Sequence, residues 1–198
     1  FDVKPVVTLF DYINGHKKLQ DVIIETKYPN LSLIAGKSGY QYATNSSSFI
    51  FSRLVQDILD LNFYDILIVD TGAGLNDYVK EFLKVSTNIL AITSTDPSAL
   101  TDVYSLIKML AIDKKSLMLC FNHTKNELVG ETISNSLINL AKKNRLKSEF
   151  VIKYIGSVPS SENITKIARA RKIFVNEFPQ EDAAIKLHNI VDGVLKNI

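Results

Sequence analysis

Tyr64-Asp65-Ile66-Leu67-Ile68-Val69-Asp70-Thr71-Gly72-Ala73-Gly74 is the stretch that decides the fold. A continuous apolar run carries Asp70 to its tip, and a turn with two glycines follows. Apolar character that is unbroken rather than alternating predicts a strand of a parallel sheet, covered on both faces. Further short apolar runs at 31–35, 88–93, 116–121 and 151–158 predict four more strands. Between them, apolar residues recur at helical spacing. Ile50, Leu54, Val55 and Ile58 follow an Asn45-Ser46-Ser47-Ser48 start signal. Leu100, Val103, Tyr104, Ile107, Leu110 and Ala111 mark a second helix, and Val129, Ile133, Leu137, Leu140 and Ala141 a third. Ala184, Leu187, Val191, Val194, Leu195 and Ile198 mark a last one. Strands alternating with helices over short connections predict an α/β fold: a doubly wound, mostly parallel sheet with helices on both faces. One domain is expected over residues 1–198.

Composition narrows the function classes. The chain has 198 residues, 46% hydrophobic and 22% charged, the balance of an ordinary globular protein. Its single cysteine, Cys120, excludes an intramolecular disulfide framework and a four-cysteine zinc site. A net charge of +2 is too small to argue nucleic acid as the main partner. No apolar run approaches the ~18 residues of a membrane span, and no signal-peptide pattern opens the sequence, so the expected location is cytoplasmic. The chain starts at Phe1 rather than Met, as a fragment or a processed chain would.

Ligands of open parallel sheets bind at the carboxyl ends of strands. Asp70 sits at such an end, where a Walker B carboxylate meets a phosphate-bound magnesium ion. Gly72 and Gly74, lacking a Cβ, allow close approach of backbone to phosphate. The same residues also read as a plain Asp-Thr-Gly turn. Gly36-Lys37-Ser38 imitates the tail of a phosphate loop, but the full motif needs a glycine where Leu31 stands, so no Walker A motif is present. Asn122, closing the run 116–121, offers a donor and an acceptor to a base edge, or serves as a turn residue. His123 has no second ligand at metal-binding spacing and reads as an exposed polar side chain. Cys120 reads as a small buried hydrophobe. Past the run 151–158, Ser160 or Ser161 is expected to cap a helix starting near Asn163. The clusters Lys142-Lys143-Asn144-Arg145-Leu146-Lys147 and Arg169-Ala170-Arg171-Lys172 fall where helices end and suit the helix dipole. The last helix carries only Lys186 and Lys196 as basic residues, favouring core packing over membrane docking.

Together these segments resemble the MinD/ParA-type deviant Walker ATPases, P-loop NTPases, and within them the FlhG (FleN/YlxH) flagellar-number branch. Residues 64–74 resemble the Walker B and switch region. Ile92-Thr93-Ser94-Thr95-Asp96-Pro97-Ser98 is similar to the next strand–loop–helix, and Phe121-Asn122-His123 stands at the adenine-reading Asn. Tyr154-Ile155-Gly156-Ser157-Val158-Pro159 is similar to the late Gly-x-x-Pro strand, and residues 4–39 to the segment ending in a small-residue turn. The resemblance implies ATP or ADP and Mg2+ as ligands. Asp70 would orient the metal through water, Gly72, Ala73 and Gly74 would sense the γ-phosphate, Asn122 would read adenine, and Pro159 would line the base pocket. It also implies an ATP-dependent homodimer, flagellar assembly proteins as partners, and peripheral contact with the inner face of the cell membrane. His123 departs from the family's usual Arg. The family's first strand, lysine-bearing phosphate loop, helix and second strand are expected ahead of Phe1. Plasmid or chromosome partition, and a non-catalytic interaction module, are the alternative functions. An iron–sulfur carrier of the related scaffold is excluded by the single cysteine.

Overall fold

A capping box opens α1 (Leu9–Ile13): Asp11 accepts from the backbone N–H of Thr8 at 2.8 Å and from its hydroxyl at 3.0 Å. This computed structural model describes residues 3–36, 48–113, 116–144, 146 and 149–198. Lys37, Ser38 and Gly39 of the Gly-Lys-Ser turn, the start signal at 45–47, and Arg145 and Lys147 of the first basic cluster lie outside the described residues. Contacts gather into two compact units, Phe1–Ser86 and Thr87–Ile198.

In the first unit, α1 is followed by α2 (Leu19–Val22), β1 (Ile23–Glu25), β2 (Ser32–Ile34), α3 (Ser48–Asp60) and α4 (Asp77–Val85). The core joins Leu9 and Tyr12 of α1, Leu19 and Val22 of α2, Phe51, Leu54 and Ile58 of α3, and Phe82 of α4. Phe51, Tyr78 and Phe82 form an edge-to-face trio with centroids 4.7–5.3 Å apart. The inward stripe of α3 is therefore centred on Phe51 rather than on Ile50 and Val55, which are half-buried.

Two expected strands of this unit come out differently. The run at 31–35 does form a strand, but it pairs antiparallel with β1, Ile23 facing Ile34 and Glu25 facing Ser32. The reason is the short connection: Thr26 N–H donates to Leu31 O at 3.3 Å, and Asn30 takes a left-handed φ of 63°. So tight a turn permits only an antiparallel pair, since a parallel one needs a crossover of a dozen residues or more. The run at 64–69 joins no ladder among the described residues. Tyr64 and Val69 pack on the helical core, while Ile66, Leu67 and Ile68 are exposed, Ile68 by 83%. Apolar character alone does not make a strand; its N–H and C=O groups need partners.

The second unit runs β3 (Leu90–Thr93), α5 (Pro97–Asp113), β4 (Ser116–Thr124), α6 (Glu127–Lys143), β5 (Val151–Pro159), α7 (Glu162–Arg169), α8 (Phe174–Glu177) and α9 (Asp182–Leu195). Among the described residues its sheet is parallel, ordered β3-β4-β5. Central β4 buries Leu117 to Phe121 almost completely, as its unbroken apolar run requires. Edge strand β3 alternates instead, with Ala91 and Thr93 buried and Leu90 and Ile92 exposed.

Helices cover both faces of this sheet. On one face, Gly130 of α6 lies so close that a Cβ there would stand 2.2 Å from Ser157 Oγ and 3.3 Å from the Phe121 ring. On the other, Cys120 and Val158 pack with Ala183 and Ile190 of α9. Small residues set this approach, so the buried stripes depart from those expected. Helix α6 buries Gly130, Ser134, Leu137 and Ala141 and leaves Leu140 exposed. Helix α9 buries Ala183, Ala184 and Ile190, while Val191, Leu195 and Ile198 are about half exposed.

Candidate functional site

Asp70 ends the extended segment 64–70 as an exposed side chain, and Gly72, Ala73 and Gly74 follow in an exposed turn. Gly74 has a φ of 84°, so the turn needs glycine there, while a Cβ at Gly72 would meet nothing within 4 Å. Asn76 ends the turn by capping α4, its Oδ1 accepting from Val79 N–H at 3.0 Å. The turn thus offers one carboxylate and open backbone at the mouth of a capped helix. No group of three or more His, Cys, Asp or Glu side chains among the described residues could hold a metal by itself. A lone exposed carboxylate fits magnesium that keeps its waters and is carried by substrate phosphates. It does not fit a protein-built cage.

In the second unit, Asn122 and Pro159 close neighbouring strands. Asn122 faces Val158 and Thr124 faces Pro159, which leaves His123 as an extra residue in a bulge. His123 takes a left-handed φ of 56° and is exposed, with Nδ1 3.4 Å from Ser160 Oγ. Its backbone N–H donates to Asn122 Oδ1 at 2.9 Å, which fixes the Asn122 amide and leaves its NH2 for a ligand. Thr124 is buried and donates to Val158 O at 3.4 Å, stitching the two tips together. Asn122 and Pro159 are both half-buried. Asn122, Pro159 and His123 therefore come together at one end of the sheet.

At the first turn of α7 the expected cap forms, joined by a partner that the sequence did not single out, Glu181. Ser161 is the cap, its Oγ accepting from Asn163 N–H at 3.1 Å, and that hydroxyl donates in turn to Glu181 Oε1. Asn163 Nδ2 donates to Glu181 Oε2 at 2.9 Å. These bonds, from Ser161 first and Asn163 second, hold the Glu181 carboxyl below the usual glutamate range. Deeper in the sheet, the Tyr154 hydroxyl lies 2.8 Å from Ser157 Oγ and donates to Glu127 O at 3.3 Å. Burial pushes that phenol up. Burial likewise pushes the Cys120 thiol up to about 11, so it is the inert core residue its run predicts. Lys142 and Lys143 stand in the last turn of α6, and Lys166 and Arg169 in that of α7, as the dipole favours. No described helix is long and apolar enough to cross a membrane.

No family model matches the chain. It is 31% identical over 182 residues to the flagellum site-determining protein YlxH of Helicobacter pylori, covering 91% of this chain and 61% of that protein. It is 27% identical over 194 residues to the antiactivator FleN of Pseudomonas aeruginosa, covering 96% of this chain and 68% of FleN. Among solved structures it superposes on the cell division ATPase MinD of Pyrococcus furiosus with a TM-score of 0.79 at 16% identity, over 98% of this chain and 78% of MinD. The ParA family ATPase of Chlorobium tepidum matches with a TM-score of 0.70 at 19% identity, over 98% and 78%.

The chain shares its fold with the cell division ATPase MinD and the ParA family ATPase. That fold is α/β, with helices and a parallel three-stranded sheet among the described residues. Its likeness in sequence falls on YlxH and FleN. The chain spans about three-fifths of the length of YlxH and two-thirds of that of FleN.

Proposed function

We propose that this chain is the bulk of a MgATP-binding, dimerising ATPase switch that sets flagellar number or placement. The observation that carries the reading is its likeness, across 91% of its residues, to a protein named for determining flagellum sites. Asp70 supports it as the carboxylate that orients the waters of the metal. Gly72 to Gly74 support it as open backbone for a terminal phosphate, and Asn122 with Pro159 as the rim of an adenine pocket. Bound magnesium would supply charge neutralisation on the phosphates. Hydrolysis would then rest on positioning and charge stabilisation rather than on a covalent step. A homodimer formed on ATP, flagellar assembly proteins as partners and peripheral membrane contact at the cytoplasmic face complete the proposal.

The test uses the full-length natural protein, followed by sedimentation with and without MgATP. A monomer that becomes a dimer with MgATP but not with MgADP, and that hydrolyses ATP, is the expected result. A protein that binds a partner yet neither binds nor hydrolyses ATP overturns the proposal in favour of an interaction module. Turnover stimulated by DNA, with salt-sensitive DNA binding by the dimer, overturns the flagellar assignment in favour of partition.

A further inference from the structure

Helix α7 is weakly held by apolar contact. None of its residues is buried, and Ile164 alone joins the cluster of Cys120, Val158, Ala183 and Ile190. Its start is instead tied down by polar contacts that converge on one residue. Both carboxylate oxygens of Glu181 are engaged, one by the Ser161 hydroxyl and the other by the Asn163 amide. Hydrogen bonds to an ionised carboxylate are about twice as strong as neutral ones. Glu181 is itself well founded, being the N-cap of α9, whose next residues Ala183 and Ala184 are almost wholly buried. Further along α9, Ile190 packs so tightly on β5 that a Cβ at Gly156 would stand 2.8 Å from it. A rigid helix thus grips the first turn of a loosely packed one. The gripped segment begins two residues after Pro159, and Ser160 just before it lies against His123, the neighbour of Asn122.

We infer that Glu181 is a positioning residue for nucleotide: by clamping Ser161 and Asn163 it fixes the turn after Pro159 beside Asn122, and so sets preference for the adenine base. This rests on the nucleotide reading above. Glu181 touches no phosphate in that scheme, so its loss acts on the base-dependent part of affinity alone. Sequence reasoning reaches Ser161 as a cap but not its clamp, because Glu181 lies 20 residues further along the chain.

The experiment compares full-length wild type with Glu181→Ala and Glu181→Gln. Affinities are measured for MgATP, MgGTP and magnesium tripolyphosphate, which has the phosphates without a base. Apo hydrogen exchange is read over residues 160–169. Glu181→Ala is expected to lose MgATP affinity by roughly tenfold, about what one well-placed charged hydrogen bond supplies. Its tripolyphosphate affinity stays unchanged and exchange at 160–169 speeds up, while that of 116–124 does not. Glu181→Gln, which keeps one acceptor oxygen, falls between. An equal loss for tripolyphosphate and MgATP marks general unfolding and overturns the inference, as does Glu181→Ala with wild-type base preference. Wild type that binds MgATP no better than tripolyphosphate overturns the base-pocket reading itself, and this inference with it.

Discussion

Two apolar runs of similar length, 64–69 and 116–121, each end in a polar residue aimed by the sequence at a ligand, and they fold differently. The second is the central strand of a parallel sheet, with Phe121 at 0% exposure and Asn122 held in a bulged tip. The first is extended but outside any ladder among the described residues, with Ile68 at 83% exposure and Asp70 on an open turn. Apolar sequence specifies an appetite for burial. A ladder also requires a neighbour for every N–H and C=O, and that is a property of the surrounding chain rather than of the run. The tip at Asn122 is therefore preorganised by its sheet, whereas the Asp70 turn owes its shape to Gly74 and to the Asn76 cap.

The largest expected effect tests the open turn. In the full-length protein, Asp70→Ala should reduce MgATP turnover by on the order of a hundredfold, the usual cost of removing one charge-orienting group. Unchanged affinity and turnover would remove Asp70 from the site. Glycine substitutions set the two regions side by side. Gly156→Ala places a Cβ against Ile190 at a φ of 143°, and overpacking plus backbone strain should destabilise the protein by about 2–4 kcal/mol in denaturant melts. Gly72→Ala meets nothing within 4 Å and should leave stability within about 0.5 kcal/mol while impairing turnover. Equal melting of the two variants would erase the contrast.

The smallest effect concerns Cys120. Its thiol is raised from the ordinary 9.0 to about 11, so the fold favours the neutral form. The stability this protects is complete below pH 9 and is lost as pH rises toward 11, where the unfolded thiol ionises first. At neutral pH a thiol-specific reagent should label Cys120 only under denaturing conditions. Rapid labelling of the native protein would show that the β4 core opens.

Legibility followed locality. Helices α3, α5, α6 and α9 and strands β4 and β5 were readable because periodicity and long apolar runs are properties of short windows. Short α1 and α2 were not, since four- or five-residue helices give too few periods to detect. The buried stripes of α6 and α9 were read in part: Leu137, Ala141 and Ala184 are buried as expected, while Gly130, Ser134 and Ala183 were missed because they are small and gain by close approach to the sheet a burial that hydropathy does not record. Among the candidate site residues, Asn122 and Pro159 were legible as strand ends and do come together at one end of the sheet. Glu181 was illegible, because Ser161 and Asn163 lie 20 and 18 residues before it and are brought to it by tertiary packing.

Hydrogen exchange of the full-length protein with and without MgATP tests the central claim most directly. The nucleotide reading predicts that MgATP slows exchange at residues 70–76 and also at 122–124 and 159–163, with the larger slowing at 70–76, where the open turn has more motion to lose. MgATP that leaves these stretches unchanged while slowing others would contradict it.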